Sequence, residues 1–164
     1  IYIGDERCVP MRHKDRNDRV INEIWLDNSL IPKNNIHFIK AELGLLEARV
    51  DYENALKKIN KFDVVLLSMG DDGHIASLFP GHLYSKNTDV VVEYNSPKPP
   101  NKRISISYRK LNKTHNVFKI ILGQPKRQAM SLLFRGHDLP INRVYGEVEK
   151  IFIHSSAIPV GGEQ

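Results

Sequence analysis

Phe62-Asp-Val-Val-Leu-Leu-Ser-Met-Gly-Asp-Asp-Gly-His-Ile-Ala-Ser-Leu-Phe-Pro-Gly81 decides the fold. Its first eight residues are mostly β-branched and large apolar groups closed by a glycine, the composition of a strand buried on both faces of a parallel sheet. In open α/β sheets, ligands bind beyond the carboxyl ends of such strands. The turn Gly70-Asp-Asp-Gly-His74 therefore falls where reactive side chains are presented. Gly70 and Gly73 let the chain double back, so that His74 projects at the mouth of a crevice. A short helix is expected after His74. A solvated histidine on a Gly-rich turn would give the same spacing, so this string alone leaves both readings open.

Outward from this junction, strand-like and helix-like stretches alternate, as in an α/β domain with a mostly parallel sheet flanked by helices in a Rossmann-like three-layer arrangement. Tyr2 and Ile3 open a strand. Val20, Ile21, Ile24 and Trp25 recur at helical spacing within residues 17–28, ahead of Pro32. Ile36–Ile39 reads as a short strand, and residues 45–59 put Leu45, Ala48, Tyr52, Leu56 and Ile59 on one helical stripe. Both stripes, with Trp25 and Tyr52, are assigned to the core. Ser96-Pro-Lys-Pro-Pro-Asn101 is a loop, because proline cannot donate to a ladder. Beyond it come strands around Ile104 and Ile106 and at 117–122, a helix at 126–134 and a last strand at 148–153.

The 164 residues form one domain by length, with 41% hydrophobic and 26% charged residues, ordinary values for a globular protein. No stretch is long and apolar enough to span a bilayer. A single cysteine, Cys8, cannot form an internal disulfide, which fits a reducing compartment and places the chain in the cytoplasm by default. Cys8 reads as a small hydrophobe at a strand end. The net charge of +5 attracts polyanions and small phosphorylated molecules alike. The positive residues form no concentrated stripe with interleaved aromatics, so a nucleic-acid partner is not expected. The histidines lack metal-ligand spacing, and Ser68, Ser77 and Ser155 lack a nucleophile-elbow context. No metal and no other cofactor is expected.

Met69-Gly-Asp-Asp-Gly-His-Ile-Ala-Ser-Leu-Phe-Pro80 resembles the signature of the 6-phosphogluconolactonases, in the glucosamine-6-phosphate isomerase/6-phosphogluconolactonase superfamily. Ile1-Tyr-Ile-Gly-Asp-Glu-Arg-Cys-Val-Pro10 is similar to that family's strand ending in Asp-Glu-Arg, with Asn17 in the helix opening that follows. Pro100-Asn-Lys-Arg-Ile-Ser-Ile-Ser107 resembles its Arg-Ile-Thr strand, and Ile121-Leu-Gly-Gln-Pro-Lys126 its Gly-x-x-Lys turn. Two departures stand out. Nothing matches the usual upstream strand, helix and Ser-Gly-Gly-x-Thr-Pro phosphate loop, so residues 1–164 are expected to be a single N-terminally truncated domain. Ile151–Ala157 stands where the family commonly has a Trp- and Asp-containing segment.

The resemblance implies hydrolysis of 6-phospho-D-glucono-1,5-lactone to 6-phospho-D-gluconate in the oxidative pentose phosphate pathway. It implies His74 and Asp5 as the catalytic pair, Asp5 orienting the imidazole. Arg7, Arg103 and Lys126 then face the substrate phosphate, with Gly70 and Gly73 shaping the substrate loop. Asp71 and Asp72 are the local rivals of Asp5 for orienting the imidazole, but Asp72 is expected to cap or brace the turn, as adjacent loop carboxylates commonly do. Taken without the resemblance, Asp5 is a strand-end residue that could pair with Arg7, and Lys126 is a helix-start lysine. Two other functions are carried forward: a glucosamine-6-phosphate deaminase-like isomerase, and a non-catalytic phosphosugar-binding module. Ser77-Leu-Phe-Pro-Gly81 favours the lactonase over the deaminase, whose corresponding loop resembles Phe-Asn-Glu-Pro-Gly.

Overall fold

A computed structural model describes residues 1–159. Two three-stranded sheets share one hydrophobic core. In the first, β2 (Phe62–Leu67), β5 (Thr114–Ile121) and β6 (Val148–Ile153) run parallel in the order β2-β5-β6. Helix α4 (Arg127–Phe134) makes the crossover between β5 and β6, as parallel neighbours require. In the second sheet, β1 (Asp5–Arg7) and β3 (Val90–Glu93) flank β4 (Arg103–Ile106), both antiparallel to it.

The expected single, mostly parallel sheet is therefore corrected to one parallel and one antiparallel sheet. The cause is connection length. The residues between β3 and β4 form a short loop closed by the Ser96 N–H donating to the Asn101 carbonyl (2.9 Å), and parallel strands need a crossover of about a dozen residues or more.

Helix α2 (Leu45–Leu56) packs on β3 and β4 through the buried residues Ala48, Tyr52 and Leu56. The Tyr52 hydroxyl donates to the Ile3 carbonyl at 2.7 Å, which satisfies its only polar atom inside the core. The terminal carbonyls at the end of α2 are met from another element. Lys110, buried in the short helix α3 (Tyr108–Leu111), donates its Nζ to the Leu56 and Ile59 carbonyls at 2.9 and 2.7 Å.

Helix α1 (Asn17–Ile24) departs from expectation, because its apolar stripe is not core. Ile24 is 77% and Trp25 52% exposed, and Ile21 and Trp25 border an apolar groove with Phe62, Val64 and Leu66. Ile36–Ile39 contributes only an isolated bridge, Tyr2 to His37, and Tyr2 and Ile3 precede β1 without joining it. Residues 74–81 form a succession of turns in place of the expected helix. Ile75 and Leu78 exchange two backbone hydrogen bonds, and Ala76 between them takes a left-handed φ of 47°.

Candidate active site

Strand alternation explains the Asp-Glu-Arg segment. In β1, residues 5 and 7 share one face and residue 6 takes the other. Glu6 is buried, and its carboxylate accepts the Asn17 and Asp18 backbone N–H groups, both at 2.8 Å. It thereby caps α1, whose own N-cap residue offers no side-chain bond. Burial raises the Glu6 carboxyl above its ordinary value, against the pull of these backbone donors.

Asp5 and Arg7 face the other way. Register sets Asp5 opposite Ser105, Arg7 opposite Arg103, and Arg103 opposite Glu93. The loop carrying His74 crosses this face. The Ser77 Oγ donates to Asp5 Oδ2 at 2.6 Å, and the Ser77 N–H donates to Ser105 Oγ at 3.2 Å. Phe79 lies 4.7 Å from the His74 ring, centroid to centroid, and the Arg103 guanidinium sits over the Phe79 ring, 5.5 Å from its centroid. Beyond Phe79, the Glu93 carboxylate accepts His82 Nδ1 and the Tyr84 hydroxyl at 2.7 and 2.8 Å.

His74 follows the carboxyl end of β2. Its Nδ1 lies 2.5 Å from Asp72 Oδ1, which also accepts the His74 backbone N–H at 3.0 Å. The carboxylate that orients the imidazole is thus Asp72, two residues away. The Asp5 carboxylate, expected from the resemblance to orient the imidazole, is engaged instead by Ser77 and by Asn17 Nδ2 at 3.1 Å. With Nδ1 turned to Asp72, Nε2 remains for a substrate or a water.

Gly70 lines the cleft, whereas Gly73 meets a packing demand. Its φ is +90°, and a Cβ there would come within 2.9 Å of Leu139. The cleft has a volume of 370 Å³ and is bounded by residues 68–71, His74, Ala76, Lys98, Pro125 and Lys126. Lys126 closes the short turn after β5 and borders the same cleft as His74.

The arginines differ from expectation in detail. The Arg103 fork is engaged by the proline loop, with Nε donating to the Pro100 carbonyl at 3.0 Å and Nη2 to the Lys98 and Pro99 carbonyls at 2.9 and 3.3 Å. Burial and the neighbouring Arg7 charge lower its pKa, while Asp5, Asp72 and Glu93 act against that shift. Arg7 donates Nη1 to the Asp15 carbonyl at 2.7 Å, and its buried Nε has no hydrogen-bond partner among the described residues. Cys8 is half-buried and donates to the Ala41 carbonyl, and burial raises its thiol pKa, as suits an inert packing residue. Lys98 is the cleft group that motif reading passed over, whereas Asp72, expected to brace the turn, lies against the His74 ring. The signal for Lys98 was a charged residue inside a proline loop adjoining the Arg103 strand.

Asp71, Asp72 and His74 place one ligand atom each within 4.8 Å of the others, a metal-compatible grouping among the described residues. Asp71 is ion-paired with Lys98 and Asp72 with His74, so two of the three donors already have cationic or N–H partners.

Fold and site together define an α/β domain with a histidine–carboxylate pair at the carboxyl end of a parallel strand, facing a cation-rimmed cleft. Residues 1–153 match the family described as glucosamine-6-phosphate isomerases/6-phosphogluconolactonase, and the chain belongs to that family. It is 34% identical over 166 aligned residues to the Arabidopsis thaliana protein named 6-phosphogluconolactonase 3, chloroplastic, covering 90% of this chain and 51% of the relative. It is 30% identical to the 6-phosphogluconolactonase of Thermotoga maritima, covering 92% of this chain and 69% of that one. The crystal structure of the Thermotoga maritima enzyme superposes with a TM-score of 0.86 over 93% of this chain and 71% of that chain. A monomeric glucosamine-6-phosphate deaminase, 17% identical, shares the fold with a TM-score of 0.79. The chain thus spans about half the length of the Arabidopsis relative and about 70% of the Thermotoga structure.

Proposed function

We propose that this chain carries the lactone-hydrolysing site of a 6-phosphogluconolactonase. The observation that supports this most is the His74–Asp72 pair opening onto a cleft bordered by Lys126, with Arg7 and Arg103 on the adjoining sheet. Lactone hydrolysis needs an oriented water, a base, and a proton donor for the departing ring oxygen. His74 Nε2 takes a proton from water as the water oxygen bonds to the lactone carbonyl carbon. The resulting imidazolium is stabilised by Asp72 and returns the proton to the ring oxygen as the carbon–oxygen bond breaks. The product is an open-chain acid with a free hydroxyl, and the acid proton goes to solvent.

The phosphate is held on the cationic side of the cleft. Lys126 and Arg7 are proposed to face it, and Arg103 contributes positive potential while it fixes the proline loop. Asp5 holds the loop through Ser77. The same reading takes the protein as a cytosolic enzyme that acts without nucleic acid, metal or other cofactor. Among the described residues, no helix is long and apolar enough to cross a membrane. Release of acid from 6-phospho-D-glucono-1,5-lactone, followed in parallel with ammonia release from glucosamine 6-phosphate, separates the readings. Acid release above the spontaneous rate, unaffected by a chelator and without ammonia, is expected. Ammonia release would assign the deaminase, and ligand binding without either product would assign the non-catalytic phosphosugar-binding module.

A further inference from the structure

Lys98 is held in a manner unlike an ordinary surface lysine. Its carbonyl accepts Ser96 Oγ at 2.7 Å and Arg103 Nη2 at 2.9 Å, and its N–H donates to Ser96 Oγ at 3.1 Å. Both backbone groups are therefore fixed, on a loop that the buried Arg103 braces from β4. Only the side chain is free to swing, and it borders the cleft beside Lys126 and His74.

Its ammonium is ion-paired with Asp71, which borders the same cleft. An ion pair this close to solvent contributes little on its own and exchanges readily. The Lys98 side chain is 34% and the Asp71 side chain 50% exposed. Partial burial and the charges of Lys126 and Arg103 lower the Lys98 pKa, so one carboxylate leaves local positive charge uncompensated. A phosphate monoester, with up to two negative charges and three acceptor oxygens, suits such a site better than one carboxylate does.

We propose that Lys98 is a phosphate ligand of this cleft and that Asp71 is its built-in competitor, occupying the ammonium until the phosphate of a sugar phosphate displaces it. The identity of that sugar phosphate rests on the lactonase reading. The cation pair itself does not. Asp71 thereby sets affinity as well as selectivity. A sugar acid without a phosphate offers only a carboxylate like that of Asp71 and gains nothing by displacing it, whereas a phosphorylated one exchanges one charge-assisted contact for several.

Calorimetric titration of the whole chain with inorganic phosphate, 6-phosphogluconate and gluconate tests this. Lys98→Met is expected to weaken inorganic phosphate and 6-phosphogluconate about tenfold, the size of one partly exposed charge-assisted bond, with gluconate unchanged. Asp71→Asn is expected to do the opposite, tightening both phosphates about threefold or more by removing the competing charge. A misfolded variant cannot produce that gain. The double variant should lose it. Phosphate affinity unchanged in Lys98→Met, or weakened in Asp71→Asn, overturns the proposal, as does a wild-type chain that binds neither phosphate. Lys98-dependent phosphate binding without lactone hydrolysis supports the anion site and removes the lactonase reading. Hydrolysis with Lys98-independent phosphate affinity does the reverse.

Discussion

A methyl group at position 70 would stand 2.1 Å from His74 Nδ1 and 2.9 Å from Asp72 Oδ1, so the glycine is the space in which the pair forms. The colliding atoms belong to side chains. Gly70→Ala should therefore displace the imidazole and lower activity towards the His74→Ala level, while thermal unfolding moves little. The motif made the position of His74 legible, because a buried apolar strand running into Gly-x-x-Gly-His leaves few other places for the ring. Its carboxylate partner was not legible. In a non-repetitive turn no periodicity says which way Asp71, Asp72 and His74 point, and only coordinates show Asp72 folding back on the ring. Asp72→Asn keeps an acceptor but removes the charge that stabilises an imidazolium, and should lower kcat on the order of 10²-fold, the low end for general-base catalysis. Asp5→Asn retains an acceptor for Ser77 and should cost less than about tenfold. Steady-state kinetics of the two variants decide the assignment. Equal losses would return Asp5 to the catalytic pair.

At the scale of elements, β2, α2, β5, α4 and β6 were readable from apolar period and turn residues, to within a few residues at their ends. The antiparallel sheet was not, because Val90–Glu93 is short and follows a polar stretch, and without it one of the two partners of β4 is missing. Lys110 shows why some stabilising contacts stay hidden. A lysine in a four-residue helix reads as solvent-facing, yet it closes the end of α2 from across the core. Lys110→Met keeps the stem and removes the donor, leaving two carbonyls short of a partner. It should destabilise by about 1–3 kcal/mol in urea unfolding. No change in midpoint would mean that water replaces the ammonium without loss. The α1 stripe misled for a related reason, since helical spacing defines an apolar face but not what covers it. As the chain's one tryptophan, Trp25 reports on this directly. Its emission should be red-shifted and readily quenched by acrylamide in the native state, whereas blue-shifted, protected emission would place it in a core.

Across the whole molecule, the two sheets divide the work. The parallel sheet delivers His74 and Lys126 at its strand ends, and the antiparallel sheet supplies Asp5, Arg7 and Arg103 on one face and the Lys98 loop at its edge. The net charge of +5 favours encounter with a phosphorylated sugar, and the cations near the cleft give that field a focus. The hydrolysis proposed for this cleft depends on His74 acting as the base. The direct measurement is the hydrolysis of 6-phospho-D-glucono-1,5-lactone above its spontaneous rate by the wild-type chain and by His74→Ala, with binding of 6-phosphogluconate as a control for folding. The expected result is a wild-type acceleration that falls about 10²–10⁴-fold in kcat in the variant while 6-phosphogluconate still binds. A variant that turns over at the wild-type rate, or a wild-type chain that binds 6-phosphogluconate but does not accelerate hydrolysis, would contradict it.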